Sequence, residues 1–203
     1  MTYITQAFDV FSLEQAKNVV LCPDPKNPNK FQHETDFVVD WLEKNTKISS
    51  DSVVLDYGCG MGRIAKSLIS RVGCRVIGLD ISYSMLMYAM VYMSDIDVSK
   101  FTPTKKYQSP ESVDLVLAVL SLQHVKDPQA EIDNIVNVLK PNGQCVLVNG
   151  YTRFVPKGID SDNFVIWEDD GFNVLDYCES KMAKELVDLY VDPNYNVVLY
   201  KKV

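Results

Sequence analysis

Apolar residues in this chain gather into short continuous runs, and between the runs they recur at helical spacing. Val53-Val54-Leu55, Arg75-Val76-Ile77-Gly78-Leu79, Ser112–Leu120 and Gln144–Val148 are too short for helices and do not alternate with polar residues. Such runs predict strands buried on both faces, as in a parallel sheet. Helical spacing fills the gaps. In Gln32–Asn45 the apolar positions Phe37, Val38, Trp41 and Leu42 make one stripe, with Thr35 and Asp36 as capping candidates. A second helix runs from Gly62 to about Arg71 and closes at Gly73. A third follows Ser82 or Ser84 as N-cap and spans the Met85–Met93 stretch. Asp127 as N-cap and Pro128 at N1 start a fourth, with Ile132, Ile135, Val136 and Leu139 on its apolar face. Strands alternating with helices predict an α/β fold.

The ends are less regular. Residues 1–21 carry scattered apolar positions that predict one or two short helices. Pro23, Pro25 and Pro28 then forbid a helix across Cys22–Lys30, which reads as an exposed loop. A further strand belongs somewhere in Ser94–Pro110. Beyond Asn149, Tyr151–Gly158 reads as a loop and Asp160–Asp170 as an acidic stretch containing Trp167. Strand character is expected at Asn173–Cys178, a helix at Ser180–Leu189, and a last strand at Tyr195–Tyr200 after the Asp192-Pro193-Asn194 turn.

Candidate chemistry centres on the junction of the first strand and its helix. Val53-Val54-Leu55-Asp56-Tyr57-Gly58-Cys59-Gly60-Met61-Gly62-Arg63 is a strand, a glycine-rich turn and a helix start. Glycines at alternate positions let a ligand approach the backbone, where free N–H groups at the helix N-terminus can meet its acceptor oxygens. Asp80, at the end of the second strand, lies 18 residues after Gly62, where a carboxylate can meet ribose hydroxyls. A dinucleotide site asks for glycine where this chain has Arg63. Asp56 at the strand end would repel a phosphate and suits a cationic or hydrogen-bond-donating ligand.

These motifs resemble the class I S-adenosylmethionine-dependent methyltransferases. The resemblance rests on Val-Leu-Asp-Tyr-Gly-Cys-Gly-Met-Gly-Arg at 54–63, Gly-Leu-Asp-Ile-Ser at 78–82 and Leu-Lys-Pro-Asn-Gly at 139–143, and covers about Val53–Val148. It implies a three-layer Rossmann-like sandwich whose mostly parallel seven-stranded sheet has one antiparallel strand near the C-terminus. It implies one domain over residues 1–203, with an N-terminal cap or lid at 1–30, a cofactor-binding core at 31–150, and a substrate loop and C-terminal hairpin at 151–203. The implied cofactor is S-adenosyl-L-methionine, released as S-adenosyl-L-homocysteine. Asp56, Tyr57, Gly58, Cys59, Gly60 and Gly62 would surround its methionine end, Asp80 its ribose, Ile81 its adenine and Leu120 its methyl group. Arg63 would either join the methionine carboxylate or be a solvated first-turn residue. The family's acid after the third strand is missing here, leaving Asp95 or Asp97 as substitutes. His124, just past the fourth strand, is the candidate catalytic base, with a packed, backbone-bonded imidazole as the alternative.

Composition narrows the acceptor. At 203 residues the chain fits one domain, and its net charge of −7 disfavours a nucleic-acid partner. The sequence lacks an Asn/Asp-Pro-Pro-Tyr after the fourth strand and has no Pro-Cys pair, which nucleobase methyltransferases use. A small-molecule substrate is therefore expected, walled by the N-terminal segment and the aromatic Tyr151–Trp167 loop. A protein or RNA substrate, supported by a basic patch around Lys100, Lys105 and Lys106, and a non-catalytic binding module are the alternatives. Five scattered cysteines without a C-x-x-C pair read as reduced thiols of a cytoplasmic protein. No signal-like N-terminus, membrane span or metal-ligand cluster is read from the chain.

Overall fold

The computed structural model describes residues 3–203; Met1 and Thr2, part of the N-terminal stretch read above, lie outside the described residues. Two units divide the chain, one formed by Phe8–Lys106 and the other by Tyr107–Val203 with the described residues up to Ala7.

In the first unit, a 3-10 turn at Thr5–Phe8 leads in from the other unit, and α1 (Leu13–Val20) follows, capped by the Ser12 hydroxyl. The proline-rich loop separates α1 from α2 (Lys30–Asn45). The strand–helix units then come as read: β1 (Val53–Tyr57), α3 (Arg63–Arg71), β2 (Arg75–Leu79) and α4 (Tyr83–Tyr92). Ser82 is the N-cap of α4, its hydroxyl accepting from the Met85 amide. Gly73, at φ 79°, ends α3 by donating to Leu68 and Ile69 carbonyls. The missing strand is β3 (Phe101–Thr104), and the order is β3-β2-β1, all parallel.

The second unit holds β4 (Val113–Val119), α5 (Pro128–Val138) and β5 (Leu139–Asn149), with Asp127 capping α5 and Pro128 at its start. The ladder jumps from Val113↔Leu139 to Leu115↔Gln144, so Lys140–Gly143 bulges out of β5 as the turn read from sequence. A two-stranded antiparallel hairpin follows, β6 (Val155–Ile159) with β7 (Val165–Glu168), then α6 (Val174–Lys181), β8 (Ala183–Leu189) and β9 (Asn196–Lys201). Strand order here is β4-β5-β9-β8, β9 running antiparallel to both neighbours. The fold is thus α/β with a seven-stranded, mostly parallel sheet and one antiparallel strand near the C-terminus.

Three expectations are corrected. Asn173–Cys178 is helix and Ser180–Leu189 is largely strand, the reverse of the reading. Asn173 is the cause of the first: its side chain accepts from the Leu175 and Asp176 amides, an N-cap that starts α6. β8 is an exposed edge strand, so its mixed polar pattern Ala-Lys-Glu-Leu-Val-Asp-Leu imitates a helix face. The Tyr151–Trp167 loop contains the β6–β7 hairpin. Thr35 is no cap, because α2 starts five residues earlier; it is buried and donates to the Phe31 carbonyl.

Candidate functional site

The glycine turn and its surroundings lie within the first unit. Gly58, Gly60 and Gly62 all take positive φ, at 70°, 53° and 77°. Their amides are already committed. Gly58 and Cys59 donate to the Leu79 carbonyl, Gly62 to Cys59, and Gly60 to Asp80 Oδ2 at 2.8 Å. The expectation of free loop amides therefore fails at these four positions. The missing Cβ atoms serve close packing as well. A Cβ on Gly60 would stand 2.6 Å from Val20 Cγ2 of α1, and one on Gly62 2.0 Å from Met93 Cε. α1 is held there by a small core of Val10, Ala16, Met61 and Met85, and by polar ties to the start of α4. Ser82 Oγ donates to Asp9 Oδ1 at 3.0 Å, and the Val10 amide donates to Ser84 Oγ at 2.9 Å.

Two carboxylates flank this turn. Asp80 accepts the Gly60 amide on Oδ2 and the Ser82 amide on Oδ1, each at 2.8 Å, so one side chain braces the turn from the end of β2. Burial raises its pKa, while those amides and Lys105 pull it back. Each oxygen keeps a lone pair for a further donor. Asp56 is deeper, 3% exposed at the end of β1. Desolvation raises its pKa to about 7, against the opposing charge of Arg63; Asp80 adds repulsion, and the Ala65 amide of α3 stabilises the ionised form. Asp56 Oδ2 is buried without a hydrogen-bond partner. A buried acceptor left open in this way fits a ligand that brings a hydrogen-bond donor or an ammonium, such as the α-amino group of a methionine moiety. Two carboxylates beside one turn would repel a pyrophosphate.

Tyr57 and Cys59 are buried; the Cys59 thiol donates to the Gly60 carbonyl, and burial holds its pKa far up, so it stays neutral. Ile81 is 47% exposed, just beyond Asp80. Arg63 is neither solvated nor open: it is buried, and NH1 donates to Thr35 Oγ1 at 3.1 Å. Asp95 pairs with Lys66 at 2.6 Å and Asp97 caps the Val98–Lys100 turn. Both carboxylates are exposed, each with a local partner on one oxygen.

Leu120 and His124 lie in the second unit. Leu120 takes φ 56°, a left-handed conformation costly for a side-chain-bearing residue, and its amide donates to the Val148 carbonyl. His124 ends a 3-10 turn, Leu122–His124, just after β4. Its Nδ1 stands 2.8 Å from the Phe154 carbonyl, so Nδ1 carries the hydrogen and Nε2 the lone pair. The Gln123 amide nitrogen lies 3.2 Å from Nε2. The Trp167 ring meets the imidazole edge-on at 5.5 Å, and Tyr3 Oη donates to the His124 carbonyl. Burial lowers the His124 pKa, the Phe154 carbonyl opposes this, and Arg153 adds to the lowering. The imidazole is neutral near pH 7.

Arg153 escaped the sequence reading. It is fully buried and clamps the turn bearing His124, donating to the Leu122 carbonyl at 3.2 Å and the Val125 carbonyl at 2.6 Å. NH2 donates to Asp170 Oδ2, while Nε sits 2.8 Å from Oδ1 in ion-pair contact without hydrogen-bond alignment. Burial pushes Asp170 up, but the Phe172 amide and Arg153 outweigh it and hold its pKa below the ordinary value. One Arg in a polar loop carries no periodic signal; only its spacing from the acidic 160–170 stretch hinted at a partner.

Known proteins resemble this chain in sequence over its central part and in fold. A family described as "Methyltransferase domain" matches residues 55–147. The ubiquinone biosynthesis O-methyltransferase of Stutzerimonas stutzeri is 29% identical over 111 residues, 52% of this chain and 47% of that protein. Its counterpart in Yersinia enterocolitica is 33% identical over 98 residues, 46% of this chain and 40% of that one. The chain thus spans about half the length, or less, of these curated relatives. Among solved structures, an S-adenosylmethionine dependent methyltransferase from Mesorhizobium loti superposes with a TM-score of 0.61 at 18% identity, covering 83% of this chain and 98% of that one. That likeness is one of fold.

Proposed function

We propose that the chain is a class I, Rossmann-like S-adenosylmethionine-dependent methyltransferase and that it methylates a small-molecule acceptor. The observation that carries the donor is the open Oδ2 of Asp56 beneath a glycine turn braced by Asp80. Asp56 receives the ammonium of the cofactor's methionine end, Asp80 the ribose hydroxyls, and Ile81 packs against the adenine. Residues 8–22, seated on Gly60 through Val20, cover that end and exclude water. The cofactor supplies a sulfonium-activated methyl group, so the chain has mainly to position and desolvate.

The acceptor class is supported by the relatives' names, which refer to ubiquinone biosynthesis, and by the net charge of −7. We assign His124 the acceptor's proton: its neutral imidazole presents Nε2 as the basic nitrogen, and Gln123 caps that lone pair until the chemical step. A protein or RNA acceptor has less support, since the Lys100 ammonium is spent on the Gly73 carbonyl at 2.7 Å.

The test is incubation with methyl-labelled S-adenosyl-L-methionine and a fractionated metabolite extract. Label should appear in a low-mass product together with S-adenosyl-L-homocysteine. Label confined to protein or RNA would reverse the acceptor assignment, and no S-adenosyl-L-homocysteine from any fraction would refute methyl transfer.

A further inference from the structure

Two carboxamides in the second unit are left half-used. Gln123 is 4% exposed and Asn149 1%, yet Gln123 Oε1 and Asn149 Oδ1 are buried without a hydrogen-bond partner. Buried polar atoms are rarely left so, and each exception asks for a cause. We propose that Gln123 and Asn149 form the recognition site of the methyl acceptor, taking O–H or N–H hydrogens from an uncharged or cationic alcohol, phenol or amine.

Each nitrogen end is tied, which decides where each oxygen end is left. Asn149 Nδ2 donates to the Gly150 carbonyl at 2.6 Å. Gln123 Nε2 donates to His124 Nε2, and His124 cannot reverse that bond because its own Nδ1 hydrogen is held by Phe154. The backbone is pinned as well: the Phe154 amide donates to the Gln123 carbonyl. Gln123 keeps this hold on Nε2 while the acceptor docks on Oε1; release of Nε2 belongs to the chemical step.

Position agrees with the assignment. Asn149 is the last residue of β5, and Gln123 follows the end of β4, its parallel partner. Ligands in parallel sheets bind at the carboxyl ends of strands. The strained Leu120, bonded to Val148, stands at the same end of this strand pair.

Charge settles the ligand's chemistry. Both open atoms are carbonyl oxygens, which repel an anion. The nearby cation that would attract one, Arg153, is consumed by two carbonyls and Asp170. A carboxylate or phosphate therefore meets repulsion at each open oxygen, whereas a hydroxyl or amine meets an acceptor at each.

That the ligand is the methyl acceptor rests on the function proposed above, and the experiment separates the two. The protein, saturated with S-adenosyl-L-homocysteine, is titrated calorimetrically with catechol, its dimethyl ether, benzylamine and benzoate. Catechol or benzylamine should bind, the ether and benzoate should not. Gln123→Met and Asn149→Leu should each weaken the binding at least tenfold, with S-adenosyl-L-homocysteine affinity changed less than twofold. Gln123→Glu, which keeps an acceptor oxygen, should retain benzylamine. Should either apolar variant fail to fold, the Glu variant and the ether decide alone. Equal binding of the ether, loss of benzylamine by Gln123→Glu, unchanged affinity in both apolar variants, or no binding by any compound overturns the inference. Panel binding that persists without S-adenosyl-L-homocysteine binding would instead refute the cofactor assignment and leave this one standing.

Discussion

Asp56, inside the end of β1's ladder, and Asp80, one residue past β2, are held differently. Asp80 spends both oxygens on backbone amides and so holds the turn's shape, and the proposed function adds a ligand's hydroxyls to them. Asp80→Ala should weaken S-adenosyl-L-homocysteine binding by one to two orders of magnitude, about 1.4–2.8 kcal/mol; unchanged affinity by calorimetry would remove it from the site. Asp56 has a folded pKa of about 7 against an ordinary 3.8. Below the ordinary value both states hold the proton and stability is unaffected. Between 3.8 and about 7 the unfolded chain ionises first, so stability falls as pH rises and levels off above. At 1.36 kcal/mol per pKa unit the loss is at most roughly 4 kcal/mol. Asp56→Asn should flatten this part of the profile in urea titrations at pH 5 and 8. Cofactor binding should respond oppositely, because an ammonium favours the ionised carboxyl. Affinity is expected to rise with pH through about 7 in the native chain and to be pH-flat in the Asn variant.

At the scale of elements, the turn and its cover are one packed unit. Gly62→Ala puts a Cβ against Met93 Cε at a left-handed φ, so strain and overpacking should together cost roughly 2–4 kcal/mol. Combining it with Met93→Ala should relieve the overpacking and leave the strain. A double-mutant cycle of urea midpoints is then expected to be less than additive by about 1–2 kcal/mol; strict additivity would mean the two do not meet. In the second unit, Arg153→Met leaves Asp170 and two carbonyls without their donor. Breaking such a buried pair should destabilise by about 3 kcal/mol, softened by the partial exposure of Asp170. The same variant should raise the His124 pKa, followed by NMR with His33 as the internal control, because a positive charge has been removed beside the imidazole.

The whole molecule is acidic, and several of its lysines are tied to local partners: Lys66 to Asp95, Lys140 to Asp114, Lys181 to Asp133, Lys184 to Glu179. No described helix is long and apolar enough to cross a membrane, and no group of three or more potential metal-ligating side chains occurs among the described residues. Duplex DNA and single-stranded RNA should show no retention at micromolar protein in 50 mM salt by filter binding. Retention there would revive a nucleic-acid acceptor.

Local patterning determined the fold class, the first two strand–helix units, the cap at Asp127, and the position of the two carboxylates, because each is written in residues close in sequence. Continuous apolar runs mean two-sided burial, and a carboxylate at a strand's carboxyl end stands near any ligand of such a sheet. Tertiary structure decided the rest. α6 and β8 exchanged places because an Asn cap and an edge position outweigh periodicity. Thr35 and Arg63 met across 28 residues, and Arg153 found Leu122, Val125 and Asp170. Which oxygens are left open at Asp56, Gln123 and Asn149 could be known only after every other donor had been placed. An unmet hydrogen bond is a property of surroundings, and a sequence does not list its surroundings.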